Sequence, residues 1–148
     1  NNGNINMKNS TINVSKANNA YGIYNNTSSS RVVMESGSIV ANNATNSYGI
    51  YMKDGNVTIG VETKPSDPTY GTSRANVSIT DPSIMAVGTT KGIGVKKENG
   101  YFNYYDGIIT GSTNAKPDIT SQVEYNYEVT FYNDSDTGYE YTILEYMK

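Results

Sequence analysis

The sequence predicts an all-β chain: a short parallel β-helix, or β-solenoid, of about five coils, closed by a C-terminal β-hairpin. Three observations lead there. Displacing the sequence by 27 residues lays residues 6–24 on 33–51 without a gap, and 8 of those 19 positions are identical, including the run Tyr-Gly-Ile-Tyr at 21–24 and 48–51. The apolar load is carried by Ile, Val and 14 Tyr, with one Leu, Leu144; β-branched and aromatic residues suit pleated, half-buried surfaces, and strong helix formers are scarce. Near the C-terminus, Val123, Tyr125, Tyr127, Val129 and Phe131 alternate with Glu124, Asn126, Glu128, Thr130 and Tyr132, ahead of a polar turn at 133–138.

The coils occupy residues 1–122. Parallel strands stack about 4.8 Å apart, so a residue lies over its equivalent one repeat away and buried positions become rows of like side chains. The predicted rows are Met7, Met34, Ile59, Ile79 and Tyr104; then Ile12, Ile39, Ile84 and Ile109; then Ile23, Ile50 and Ile93. Spacings along the first row are 27, 25, 20 and 25 residues, too variable for a helical repeat with fixed packing. Asn18-Asn19, Asn25-Asn26 and Asn42-Asn43 stand where stacked amides form hydrogen-bond ladders, and equally where Asn serves as a turn residue. Residues 60–76, with Pro65, Asp67-Pro68, Gly71 and Ser73, break the pattern and read as a loop extruded between coils. Residues 123–148 are the capping hairpin of the same domain. A stack of strands has two open edges, and a hairpin laid over the last coil protects one of them.

Composition removes much chemistry. With no His and no Cys there is no imidazole base, no thiolate nucleophile, no zinc finger and no Cys-ligated iron–sulfur cluster. A net charge of −3 argues against a phosphate-binding surface, and so against nucleic acid as a partner. No apolar run reaches the roughly 18 residues that span a bilayer, so no membrane insertion is expected. The chain opens on Asn1-Asn2-Gly3 with no signal-peptide pattern, which reads as a mature form or a piece of a longer protein. Among the carboxylates, Asp54 and Asp106 precede Gly and Asp81 precedes Pro, contexts that favour turns. Asp134-Ser135-Asp136-Thr137-Gly138 hints at a calcium loop, but neither frame completes it. With Asp134 first, Tyr139 stands where Gly is required; with Asn133 first, Leu144 takes the place of the closing Glu. A plain hairpin turn is expected, with no metal and no cofactor.

Tyr24 and Tyr51 are the candidate ligand-binding residues. If Ile23 and Ile50 point inward, the period of two turns their neighbours outward. Two stacked phenols there offer a platform for the C–H faces of sugars; ladder packing that stiffens the face is the plainer account. Tyr21 and Tyr48 share the parity of the Ile residues and are expected at a buried corner. Lys91, Lys96 and Lys97, with Lys116 nearby, read as a solvated face.

Three segments together carry a resemblance: the two Tyr-Gly-Ile-Tyr runs, GNVTIG at 55–60, and YFNYYDGIITGSTNA at 101–115. Their order resembles the pectin-lyase-like, right-handed parallel β-helix repeat regions of uncharacterised cell-surface proteins of Gram-positive bacteria. The likeness covers roughly residues 20–148 and is most specific at Tyr104-Tyr105-Asp106-Gly107-Ile108-Ile109. It implies the right hand of the coil, an extracellular, wall-associated location, and adhesion or a stalk; with the tyrosine pair and the missing catalytic residues, the expected role is a non-enzymatic structural or adhesive one, facing host or cell-wall glycans. The rest of a longer parent chain would stack on the N-terminal coil. Pectin-degrading hydrolases of this fold resemble one another in an Asp pair, a Gly-His-Gly and an Arg-x-Lys, none of which occurs here. The alternatives are a fragment of a carbohydrate-active lyase or hydrolase, with its carboxylates among Asp54, Asp81 and Asp106, and a phage-type fibre segment, which would trimerise.

Overall fold

The computed structural model describes residues 1–15, 18–61, 77–123 and 127–147. Among them the chain is all-β, with no helix. The strands are β1 (Asn4–Met7), β2 (Ser10–Ser15), β3 (Asn19–Asn25), β4 (Arg31–Met34), β5 (Gly37–Met52), β6 (Asn56–Ile59), β7 (Ser83–Lys97), β8 (Tyr101–Tyr104), β9 (Ile108–Gly111), β10 (Ser121–Gln122), β11 (Tyr127–Asn133) and β12 (Glu140–Tyr146). They form two sheets. The smaller runs β1-β4-β6-β8-β10 and is parallel throughout. The larger runs β11-β12-β9-β7-β5-β2, with β3 also paired to β5; it is parallel from β2 to β9 and antiparallel at β12 and β11. From β4 to β10 the chain visits the two sheets by turns, and each return lays a new strand beside the previous one.

The register reproduces the rows that the repeat predicts. In the smaller sheet Met7, Met34, Ile59 and Tyr104 are successive partners, and so are Ile5, Val32, Val57 and Phe102. In the larger sheet Ile12, Ile39, Ile84 and Ile109 follow one another. Ile39, Ile84 and Ile109 are fully buried, and Met34, Ile59 and Tyr104 belong to the same core. Burying a side chain of this size stabilises by about 2 kcal/mol against leaving it in water, so these rows are the main source of cohesion between the sheets. Tyr104 is admitted because its hydroxyl donates to the carbonyls of Gly107 (2.7 Å) and Thr142 (3.1 Å); a buried hydroxyl without partners is costly.

Two row assignments from the sequence are corrected. Ile79 stands outside every strand and is 48% exposed, so the first row passes directly from Ile59 to Tyr104. Ile93 partners Tyr48, and the partner of Ile50 is Val95. The reason is a compensated irregularity. Between Ala41/Ala86 and Ala44/Gly88 the extra residue lies in β5; between there and Asn46/Lys91 it lies in β7. The offset returns to its starting value, whereas matching Gly-Ile to Gly-Ile by eye assumes that two residues are lost.

Amide contacts occur, at fewer places than the sequence offers. Asn46 donates to Asn19 (2.9 Å) and Asn103 to Asn56 (3.1 Å). Asn25 accepts from Asn1 (3.0 Å) and donates to the Asp54 carbonyl (3.0 Å), and Asn26 donates to Asn2 (3.0 Å). Asn43 instead adopts a left-handed backbone conformation, φ 55°, and the Asn42 side-chain oxygen Oδ1 is buried without a partner. Of the expected extruded loop, residues 62–76 lie outside the described residues. The hairpin forms with Tyr127 opposite Tyr146 and Asn133 opposite Glu140. On β11 the inner face is the one that the alternation predicts, with Tyr127 buried and Val129 packed on the core; on β12, where Tyr139, Tyr141 and Ile143 alternate as the apolar set, the face differs. Thr142 lies beside Ile109 and is buried with Leu144, while Tyr141 pairs with Thr110 on the outer face. The hairpin extends the larger sheet by its β12 edge, and Phe131 stays 43% exposed.

Candidate functional site

The densest unusual cluster is a corner of four tyrosines on β3 and β5. Strand periodicity puts Tyr21 and Tyr24 on opposite faces, but the alternation breaks between them. A Cβ on Gly22 would lie 2.3 Å from the Ile39 Cγ2 methyl, so this position faces the core and only glycine fits. Ile23, the next residue, is also buried in the core. Two consecutive inward residues return the chain to outward at Tyr24, on the same side as Tyr21. Gly49 and Ile50 repeat the arrangement one strand on, with Gly49 against Ile84. Tyr21 and Tyr48 therefore do not enter a buried corner; they join Tyr24 and Tyr51 in one half-buried group.

The geometry is a herringbone. Tyr21 stacks on Tyr48 with centroids 5.3 Å apart and planes 9° from parallel. Tyr24 stacks on Tyr51 at 5.2 Å and 10°. The two stacks meet edge to face: Tyr21 against Tyr24 at 5.3 Å and 86°, Tyr48 against Tyr51 at 5.1 Å and 82°. Offset-stacked and T-shaped contacts are the favoured aromatic geometries, each adding about 0.5–1.5 kcal/mol beyond area burial. On the next strand the columns continue as Ile93 beside Tyr48 and Lys96 beside Tyr51. The Tyr51 hydroxyl donates to the Glu98 carboxylate, and this bond, with burial and the Glu98 charge, pushes its pKa up to about 12. The phenol is thereby held protonated and in place. The duplicated Tyr-Gly-Ile-Tyr run makes the four rings visible in sequence; their shared side depends on the break in alternation.

The acidic candidates are divided between turns. Asp54, between β5 and β6, accepts from its neighbour's amide at Gly55 (2.7 Å). Asp81, before β7, accepts from the Gly37 amide (2.7 Å). Asp106, between β8 and β9, accepts on one oxygen from the amides of Ser78 and Gly107. Burial pushes the Asp106 carboxyl up to about 6 against the lowering effect of those two amides, and the Asp81 charge adds to the rise. Asp81 and Asp106 thus share a corner, and Asp54 stands in a turn of the opposite kind, leading from the larger sheet to the smaller. All three serve as acceptors for turn amides. Among the described residues no group of three acidic side chains is placed to hold a metal ion.

The 133–138 segment is a hairpin turn. The Asp134 carboxylate accepts from the Asp136 amide (2.9 Å) and the Thr137 hydroxyl (3.0 Å), which hold its carboxyl below the usual range. Of the lysines, Lys97 bonds Thr120 (3.1 Å) and pairs with Asp118 (3.4 Å), and Lys116 lies over the Phe131 ring at 5.4 Å. Lys91 and Lys96 are exposed. Comparison with protein-family models, with curated proteins and with solved structures gives no match for this chain.

Proposed function

We propose that this chain is a non-enzymatic structural and adhesive module of a bacterial cell-surface protein, wound as a right-handed parallel β-helix and meeting glycans at its tyrosine corner. The carrying observation is the herringbone of Tyr21, Tyr24, Tyr48 and Tyr51, a rigid aromatic group on the outer side of a strand stack whose interior is packed. Large aromatic anchors held in place bind at low entropic cost. Parallel phenols about 5 Å apart cover much of each other's faces, so the corner meets a sugar through ring edges and hydroxyls. The like-over-like register of both sheets supports the β-helix winding, and a longer parent chain would stack on the open edge of β1 to β3. Extracellular placement follows from the family resemblance.

A glycan array probed with the full chain and with a Tyr24→Ala/Tyr51→Ala double variant tests the adhesive part. The wild-type chain is expected to retain a subset of glycans and the double variant to bind at least about tenfold more weakly, a change of about 1.4 kcal/mol. Binding of no glycan, or equal binding by both proteins, would refute it.

The enzyme reading rests on the carboxyl of Asp106, pushed up to about 6 beside Asp81, since a general acid needs such a shift. The two amides bonded to its one oxygen favour a turn cap instead. Incubation with pectins and mucin glycans is expected to release no product.

A further inference from the structure

A second concave feature lies away from the tyrosine corner, where the turn of the β11–β12 hairpin overhangs the outer face of the larger sheet. It is a groove of about 640 Å³, within the range of small-molecule sites. The register explains it. Across the outer face, Met85 pairs with Thr110, Thr110 with Tyr141, and Tyr141 with Tyr132. Met85, Thr110 and Ile108 make the floor, and Tyr139 and Tyr141 the wall. The rim is the hairpin turn, through Asn133, Asp134, Ser135 and Thr137.

The lining is amphipathic in a specific way. Apolar floor atoms and two phenols stand below a continuous row of amide, carboxylate and hydroxyl groups. Among the described residues no lysine or arginine lines the groove, and the one charged side chain of its lining, Asp134, is negative. That combination disfavours phosphates, uronates and sialylated chains, because an anion would face Asp134 without a cation to pair with. It suits a neutral sugar, whose C–H face packs on an aromatic ring while its hydroxyls take both donors and acceptors. The parts are fixed before any ligand arrives. Tyr141 is stacked on Tyr132 (5.1 Å, 20°), whose hydroxyl donates to Glu145 (2.8 Å). The rim is tied by the Asp134 carboxylate to Asp136 and Thr137, and by the Gly138 amide to the Asp134 carbonyl (2.7 Å). Little ordering entropy is left to lose on binding.

We propose that this groove is a binding site for one or two residues of a neutral glycan. It is separate from the corner on β3 and β5 and stands whether or not that corner binds sugar. The probes are cellobiose, lactose and mannobiose, with digalacturonate as the anionic counterpart, followed by saturation-transfer NMR on the full chain. At least one neutral disaccharide is expected to bind saturably with Kd near or below about 1 mM, and digalacturonate not to bind. Tyr141→Ala is expected to weaken that binding at least tenfold, a change of about 1.4 kcal/mol, while Tyr24→Ala/Tyr51→Ala leaves it intact. Should Tyr141→Ala disturb the fold, Ser135→Arg at the exposed rim crowds the mouth without touching the sheet and is expected to produce the same loss. No saturable binding of any neutral disaccharide, a preference for digalacturonate, or binding unchanged in Ser135→Arg would overturn the assignment. Loss in the Tyr24/Tyr51 double variant alone would place sugar binding at the corner and end this proposal while sparing the other.

Discussion

At the scale of single residues, the most informative group is Asp106. It caps the turn into β9, and Gly107 beside it, at φ 84°, brings its backbone so close to the Pro82 carbonyl that a Cβ would lie 2.0 Å away. Burial raises the Asp106 carboxyl to about 6, above its ordinary range. The folded chain therefore holds this proton more tightly than the unfolded chain does. The resulting stabilisation is full below the ordinary carboxylate range and is lost as pH rises through about 6. Asp106→Asn retains a carbonyl oxygen for the Ser78 and Gly107 amides and has no proton to lose. Urea denaturation is expected to show this group costing the wild-type chain about 1–2 kcal/mol between about pH 4 and pH 7, after discounting for solvent screening, and the variant lacking that drop. An equal or steeper drop in the variant would mean that other groups carry the pH dependence. Asp-Gly turns were readable from the sequence, as was the pairing of Tyr24 with Tyr51. The joining of Tyr21 and Tyr48 to them was not, because parity arguments assume unbroken alternation and two adjacent inward residues, Gly22 and Ile23, cancel it.

At the scale of the element, most strands are short, β5 and β7 apart, and each depends on its place in a row. Ile12 is half-buried at the end of its row, whereas Ile84 is fully buried between Ile39 and Ile109. Ile84→Ala is expected to cost about 3–4 kcal/mol, and Ile12→Ala about half as much, because a cavity between two filled rungs cannot collapse while the end of a row can. Chemical denaturation of both variants measures the difference, and equal costs would mean that the rows are not the unit of cohesion. The rows were legible where the spacing stayed within two residues of itself, as from Met7 through Met34 to Ile59. They failed at Ile79 and Ile93. A spacing rule has no means of detecting a residue gained in β5 and repaid in β7, and an Ile placed among Ser, Thr, Asp and Pro at 78–82 carries no sign that it lies outside a strand. In the hairpin, the two strands, their turn and the inward face of β11 were legible by period, but the inward face of β12 was not. Tyr alternating with Glu and Thr describes two amphipathic faces of similar polarity, and the contact with β9 chooses between them.

At the scale of the whole molecule, the two ends of the larger sheet differ. At the β9 end β12 pairs antiparallel with Ile108–Gly111, so that edge is covered, while β2 and β3 stand outermost at the other. A chain shortened to residues 1–122 uncovers β9. It is expected to self-associate, eluting ahead of the full chain in size-exclusion chromatography at equal concentration, since a bare parallel edge is a template for another strand. Elution as a monomer of the same stability would show the hairpin to be dispensable. The all-β class, the repeat and the terminal hairpin could be read at this scale from the sequence. The groove under the hairpin could not, for it depends on which residues of three separated segments share one outer row. The herringbone has one more consequence. The chain has no Trp, so its near-ultraviolet circular dichroism is a phenol spectrum. Four phenols locked in parallel and perpendicular pairs couple their transitions strongly. The part of that signal lost in Tyr24→Ala/Tyr51→Ala tracks the corner's integrity without any label, and its disappearance on heating would time the loosening of β3 from β5 apart from that of the rest.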